Sequence, residues 1–175
     1  GGREKPFAGE ERILIPSPKV EHYDETPAMA TREIMDAILA GMQTHDVIIA
    51  NIAAPDMVAH TGNLEATIKA IEATDEAVGC IADAVIAQGG VCIITADHGN
   101  AESLTTAATG ARSKEHSANP VPCIIVAPNL TPGRVTKLVD LVDHASSGLL
   151  PDVVPTFLHF LGIPKPAEMT GRSLV

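Results

Sequence analysis

The chain has 175 residues, 45% of them hydrophobic and 19% charged, with a formal net charge of -10. This length and hydrophobic content support one domain with a core of its own and exclude a disordered tail. The acidic charge repels a phosphate backbone, and one Tyr, three Phe and no Trp offer few rings for base stacking, so we expect no nucleic-acid partner. No apolar run reaches the roughly 18 residues of a membrane span, so no membrane partner is expected.

Strand and helix signals alternate along the first half of the chain. Residues 12–15 are a short strand candidate that ends at a proline-containing turn. A helix is predicted to begin at the Thr-Pro pair 26–27, because apolar residues recur at helical spacing over residues 34–42. Residues 46–52 form a nearly continuous apolar run, typical of a parallel strand buried on both faces. The stretch that follows, 53–62, is predicted to be irregular.

The second half of the chain continues the alternation. Asn63 is a reasonable N-cap for a long amphipathic helix over residues 64–88, which ends at a Gly-Gly pair. Two further apolar runs, 91–95 and 122–126, are predicted to be buried strands, and a last helix covers about 152–161. Strands that alternate with helices predict an α/β layered domain with a mostly parallel sheet.

The cysteines indicate a reducing compartment. They lack a paired spacing and sit among apolar neighbours, at Cys80, Cys92 and Cys123. This pattern predicts buried, reduced thiols rather than disulfides. We therefore expect a cytoplasmic protein.

Five Asp and His side chains lie next to predicted strands, at the edge where open α/β sheets bind ligands. They are Asp56, His60, Asp97, His98 and His116. Because Asp56 and His60 are four residues apart, one helical turn would place both on one face. Carboxylate and imidazole groups suit zinc, manganese and similar ions. Five ligands would crowd one ion that also needs an open position for substrate, so the pattern favours two ions.

Each of these residues also has an ordinary interpretation. A lone Asp at a strand end often caps the next turn, and a lone His is more often a partly buried polar residue than a ligand. Their joint placement at one edge of one predicted sheet favours the metal-binding interpretation.

Longer segments around these residues resemble the cofactor-independent phosphoglycerate mutases, which belong to the alkaline-phosphatase-like metalloenzymes. The similar segments, in the order of the family, are residues 1–4, 16–20, 51–63, 94–102, 116–122 and 168–174. The resemblance implies an alkaline-phosphatase-like layered fold. It also implies interconversion of 3-phosphoglycerate and 2-phosphoglycerate in glycolysis, through a phosphoserine intermediate. Two divalent ions are implied, manganese first, with zinc or cobalt as alternatives.

The resemblance also implies roles for single residues. Asp56, His60 and His116 would hold one ion, while Asp97 and His98 would help to hold the other. Lys19 resembles the lysine that contacts the transferring phosphate, although without the family match an exposed lysine in a turn would be the simpler interpretation.

Some parts of the family pattern have no match in this chain. They are the nucleophilic serine, an upstream Asp of the second metal site, and the inserted transferase domain, so residues 1–175 resemble only the C-terminal part of the phosphatase-like domain. We therefore expect no catalytic nucleophile here, an incomplete sheet, and no mutase activity from the chain alone. We also expect the first metal position to be the better formed, the chain to self-associate through exposed apolar surface, and the complete enzyme to be a monomer acting on phosphoglycerate.

Two other functions stay open on the sequence. One is another alkaline-phosphatase-like metalloenzyme, a phosphopentomutase or sulfatase relative, although the segments 1–4 and 16–19 argue against it. The other is a non-catalytic metal-binding module that docks onto a partner chain.

Overall fold

The computed structural model describes residues 4–104, 115–130 and 147–175. The chain forms two compact units. The first contains the described parts of Gly1–Val85 and Gly99–Ser117, and the second contains Ile86–His98 and the described parts of Ala118–Val175. The first three residues of the family-like segment 1–4 lie outside the described residues.

The starting residues of two helices in the first unit have local causes in the backbone and in a capping side chain. A 3-10 turn at Tyr23–Glu25 precedes helix α1, Thr31–Gly41. Helix α1 begins later than the predicted Thr-Pro pair because Met29 adopts the left-handed conformation, with φ of 47°, which interrupts a helix. Helix α3, Leu64–Ala87, begins as predicted, since the Asn63 side chain accepts a hydrogen bond from the Ala66 amide at 3.2 Å.

Residues 54–59 form helix α2, Ala54–Ala59, where the sequence predicted irregular structure. The prediction was wrong, and Pro55 does not prevent a helix here. It lies in the first turn, where its missing N–H leaves no hydrogen bond unmade. This short helix carries Asp56, and His60 follows directly after its end.

The core of the first unit is small and rich in alanine. Ala54 and Val58 of α2 are buried in one cluster with Ala66 and Ala70 of α3, and Tyr23 packs against the cluster together with Met29. Alanine side chains allow helix backbones to approach closely. Because Val58 and Ala59 are fully buried, they hold α2 in place and leave its other face for polar side chains.

Two predicted strands of the first unit are not strands. Residues 12–15 and 46–52 form no helix or paired strand in the described structure, and Leu14 and Ile49 are 84% and 89% exposed. An apolar run shows that a segment needs a partner, but a strand forms only when a neighbouring strand satisfies its backbone. Among the described residues of this unit, no such neighbour is present.

The second unit contains a two-stranded sheet and a terminal helix. Strands β1, Cys92–Thr95, and β2, Cys123–Val126, match the predicted runs and pair with Ile93 opposite Ile125. The α/β class is confirmed. The pair is antiparallel, however, whereas a mostly parallel sheet was predicted. The apolar composition of a strand does not determine its direction, which depends on the path of the chain that connects the strands.

Helix α4, Val153–Phe160, lies near the end of the sequence and anchors the residues that follow it. It follows a 3-10 turn, Leu150–Asp152. The buried Asp152 carboxylate accepts hydrogen bonds from the Leu149 and Arg172 amides, both at 2.9 Å. These donors hold the pKa of Asp152 below its ordinary value. The buried Thr156 hydroxyl donates to the Asp152 carbonyl and accepts from the Leu174 amide.

The cysteines are all free, as predicted, but none of them is fully buried. Cys80 and Cys123 are exposed and Cys92 is half-buried, where burial raises the pKa of its thiol. Apolar neighbours in sequence do not determine which face of a helix or strand a residue occupies. In the described ranges, no helix is long and apolar enough to cross a bilayer.

Candidate metal centre

Helix α2 presents the first two predicted ligands side by side. Asp56 lies in its first turn and His60 directly after its last residue. His60 Nε2 is 3.4 Å from Asp56 Oδ1, and both side chains are 34% exposed. The i, i+4 spacing therefore places both groups on one face, as expected.

His116 reaches the same carboxylate oxygen from a distant part of the chain. Its Nε2 is 3.4 Å from Asp56 Oδ1 and 3.1 Å from His60 Nε2. The two imidazole rings are tilted, with centroids 5.0 Å apart. Three donor atoms from three predicted ligands thus converge within the first unit.

A bridge next to the site places His116. The Ser117 amide donates to the Gly99 carbonyl at 2.7 Å, in an antiparallel bridge. A Cβ atom at Gly99 would collide with the Ser117 hydroxyl and the Glu102 carboxylate. A side chain at residue 99 would therefore displace the Ser117 and Glu102 side chains from their contact.

The donor set fits a first-row divalent ion. Such ions bind oxygen and imidazole nitrogen at about 2.0–2.2 Å, which separates neighbouring ligand atoms by roughly 3.0–3.5 Å in tetrahedral or octahedral geometry. The three observed separations of 3.1–3.4 Å fall in this range. One carboxylate and two imidazoles, partly exposed, would leave positions open for a substrate oxygen.

The sequence reasoning did not single out Asn100 and Glu102, which surround the site. Asn100 Nδ2 donates to Asp56 Oδ1 at 2.7 Å, and the residue is only 4% exposed. The Glu102 carboxylate accepts hydrogen bonds from the backbone N–H of Asn100, at 2.8 Å, and from the hydroxyl of Ser117. The available signal was their position two and four residues after His98, in a segment that already carried two candidate ligands.

The other candidates are Asp97, His98 and Lys19. Asp97 and His98 follow β1 in the second unit, with His98 Nε2 3.5 Å from Asp97 Oδ1. The Asp97 side chain is 83% exposed and that of His98 is 28% exposed. Lys19 is exposed in an irregular segment of the first unit. The ligand roles of all these residues, and the phosphate contact of Lys19, stay predictions.

Comparison with known families gives one match over most of the chain. The family model described as the metalloenzyme superfamily matches residues 1–165.

Curated relatives similar to the whole chain are named 2,3-bisphosphoglycerate-independent phosphoglycerate mutase. The protein of Desulforudis audaxviator is 47% identical over 175 residues, and that of Pseudomonas fluorescens is 49% identical over 177 residues. Each alignment covers 100% of this chain and 32% of the relative. The chain therefore spans about a third of the length of the curated relatives it matches.

A solved structure is similar as well. It is the phosphoglycerate mutase of Leishmania mexicana, whose crystal structures were determined at low cobalt concentration. The TM-score is 0.73 at 32% identity, over 90% of this chain and 30% of that one.

Proposed function

Because the chain belongs to the metalloenzyme superfamily, we propose that it is the C-terminal metal-binding part of a phosphoglycerate mutase. The observation that carries the proposal is the convergence of Asp56, His60 and His116 at 3.1–3.4 Å. The names of relatives 47–49% identical over the whole chain support the substrate, 3-phosphoglycerate or 2-phosphoglycerate.

The proposed metal sites divide the five candidate ligands. Asp56, His60 and His116 hold one divalent ion, and Asp97 and His98 contribute to a second. Manganese is the proposed metal, with zinc or cobalt as alternatives; cobalt appears in the description of the Leishmania enzyme. The first site is proposed to bind more tightly, because it has three protein ligands against two.

The chain's own residues are proposed to perform three tasks. Asp56 supplies the negative charge that balances part of the ion's charge, while His60 and His116 fix its position. Lys19, on a long exposed side chain, contributes a positive charge to the transferring phosphate. When bound, the ions neutralise phosphoryl oxygens and activate a hydroxyl nucleophile. No serine of this chain lies in a segment that resembles the family's nucleophile, so we assign no catalytic residue here.

An enolase-coupled assay tests this function. The complete reading frame that encodes these residues is expressed, stripped with EDTA and assayed with 3-phosphoglycerate. We expect no turnover without metal and restored turnover with Mn²⁺, since the ions neutralise the negative charge of the phosphoryl group during transfer. A parallel assay with Mg²⁺ at the same concentration, in place of Mn²⁺, is the control for the metal requirement of the coupling enzyme. A folded protein that binds Mn²⁺ but converts neither phosphoglycerate would contradict the mutase assignment.

We also propose that the complete enzyme is a cytoplasmic monomer, whereas the 175-residue chain self-associates. Its first unit exposes apolar side chains in the segments 12–15 and 46–52, above all Leu14 and Ile49. Contiguous apolar surface promotes association, and the net charge of -10 opposes it only weakly at physiological salt.

Light scattering at high micromolar concentration tests the association. The chain is expected to exceed the monomer mass, and Ile49→Lys is expected to shift the mass toward the monomer. Ile163→Lys is the matched control, because Ile163 is 49% exposed in the second unit. A monomeric wild-type chain at that concentration would refute the proposal.

A further inference from the structure

We propose that Asn100 and Glu102 are positioning residues of the metal centre: Asn100 orients the Asp56 carboxylate, and Glu102 fixes both Asn100 and the segment that carries His116. The inference rests on the proposed function, since it assumes that Asp56 is a metal ligand. Both residues belong to the first unit.

The contact between Asn100 and Asp56 selects one carboxylate oxygen. Asn100 Nδ2 donates to Asp56 Oδ1 at 2.7 Å and lies 3.4 Å from the Asp56 carbonyl oxygen. The same Oδ1 atom is 3.4 Å from both histidine nitrogens. A carboxylate side chain can otherwise rotate about its last bond. The side-chain amide of Asn100 therefore holds the Asp56 oxygen that faces His60 and His116 in one orientation.

The Asn100 side chain is buried against the site, where Nδ2 donates to Asp56 and also lies 3.4 Å from His60 Nε2. The residue is 4% exposed, and its Oδ1 atom has no hydrogen-bond partner within the described ranges. A buried amide oxygen without a partner costs stability rather than adding to it. An apolar residue of similar size would therefore serve the fold about as well, but it could not orient Asp56.

Glu102 connects the two segments that meet at the site. One of its carboxylate oxygens accepts the backbone N–H of Asn100 at 2.8 Å, and the other accepts the hydroxyl of Ser117. Ser117 is adjacent to His116 and pairs with Gly99 through the backbone. A single carboxylate thus holds the donor to Asp56 and the neighbour of His116 at the same time.

Co²⁺ titration of the 175-residue chain, followed by visible absorption, tests the inference. Asn100→Leu keeps the size of the side chain and removes the donor. We expect its Co²⁺ affinity to fall about 10–100-fold, with a changed ligand-field spectrum, because loss of a partner that orients a ligand has this effect. Glu102→Ala is expected to behave similarly. Glu102→Gln, which keeps one acceptor oxygen, is expected to recover part of the affinity.

Thr67→Val is the matched control. The buried Thr67 hydroxyl donates to the Asn63 carbonyl at 2.8 Å in the same unit, so its loss should lower the melting temperature and leave Co²⁺ binding unchanged. Circular dichroism without metal checks that each variant is folded.

The outcomes separate the two hypotheses. If the wild-type chain binds no Co²⁺, the proposed function fails, and this inference with it. If wild type and Thr67→Val bind Co²⁺ while folded Asn100→Leu and Glu102→Ala bind it equally tightly with the same spectrum, only the positioning role is overturned. Should Asn100→Leu not fold, unchanged binding by Glu102→Ala refutes the network by itself.

Discussion

Replacement of Asp56 by alanine is expected to weaken binding of the first metal ion by at least about 100-fold, or roughly 2.7 kcal/mol. Asp56 Oδ1 is the only anionic atom among the three converging donors and lies 3.4 Å from each of the other two. Its removal leaves two imidazoles, which offer no negative charge to balance the ion. Isothermal titration with Mn²⁺ measures the change directly.

Asp75→Ala is the control for this prediction. Asp75 is exposed on α3, so this variant changes the net charge by the same amount without removing a candidate ligand. A thermal melt adds an independent readout, because an ion at 100 times its Kd stabilises the folded chain by about 2.7 kcal/mol. The assignment of Asp56 as a ligand would fail if Asp56→Ala bound Mn²⁺ as tightly as Asp75→Ala and showed the same metal-dependent rise in melting temperature.

The second large effect is expected at the C-terminal end, from Asp152→Asn. The Asp152 carboxylate accepts the amides of Leu149 and Arg172, one with each oxygen. An asparagine side chain can accept only one of these bonds and turns an N–H group toward the other donor. We expect the melting temperature at neutral pH to fall by about 5–10 °C, since two hydrogen bonds to a charged carboxylate would be lost or weakened.

The same substitution changes the dependence of stability on pH. In the folded chain the two amide donors hold the pKa of Asp152 below its ordinary value of 3.8. A depressed pKa contributes stability above pH 3.8, and this contribution is lost as the pH falls through the folded-state pKa. Asp152→Asn should therefore flatten the acid side of the stability curve. Thermal melts between pH 2 and 7 measure this, with Asp83→Asn, at an exposed position of α3, as the control. An equally steep loss of stability in acid for both variants would contradict the prediction.

Several features of this protein could be predicted from the sequence because short-range signals determine them. The Asn63 cap and the Gly-Gly pair after residue 88 delimit α3, Leu64–Ala87, within a residue or two. Apolar runs located β1 and β2. The i, i+4 spacing of Asp56 and His60 placed both on one helix face, and the family resemblance grouped them with His116, which the structure brings to the same oxygen.

Other features were decided only by tertiary structure. Residues 46–52 have the composition of a buried strand, yet Ile49 is 89% exposed, because a strand needs a neighbour that composition cannot supply. The antiparallel pairing of β1 and β2 depends on the path of the chain between them. The roles of Asn100 and Glu102 depend on contacts with residues distant in sequence. Asn100 contacts Asp56, 44 positions away, and Glu102 contacts Ser117, 15 positions away. Local sequence determines which groups can bind or donate, whereas long-range packing determines which of them meet.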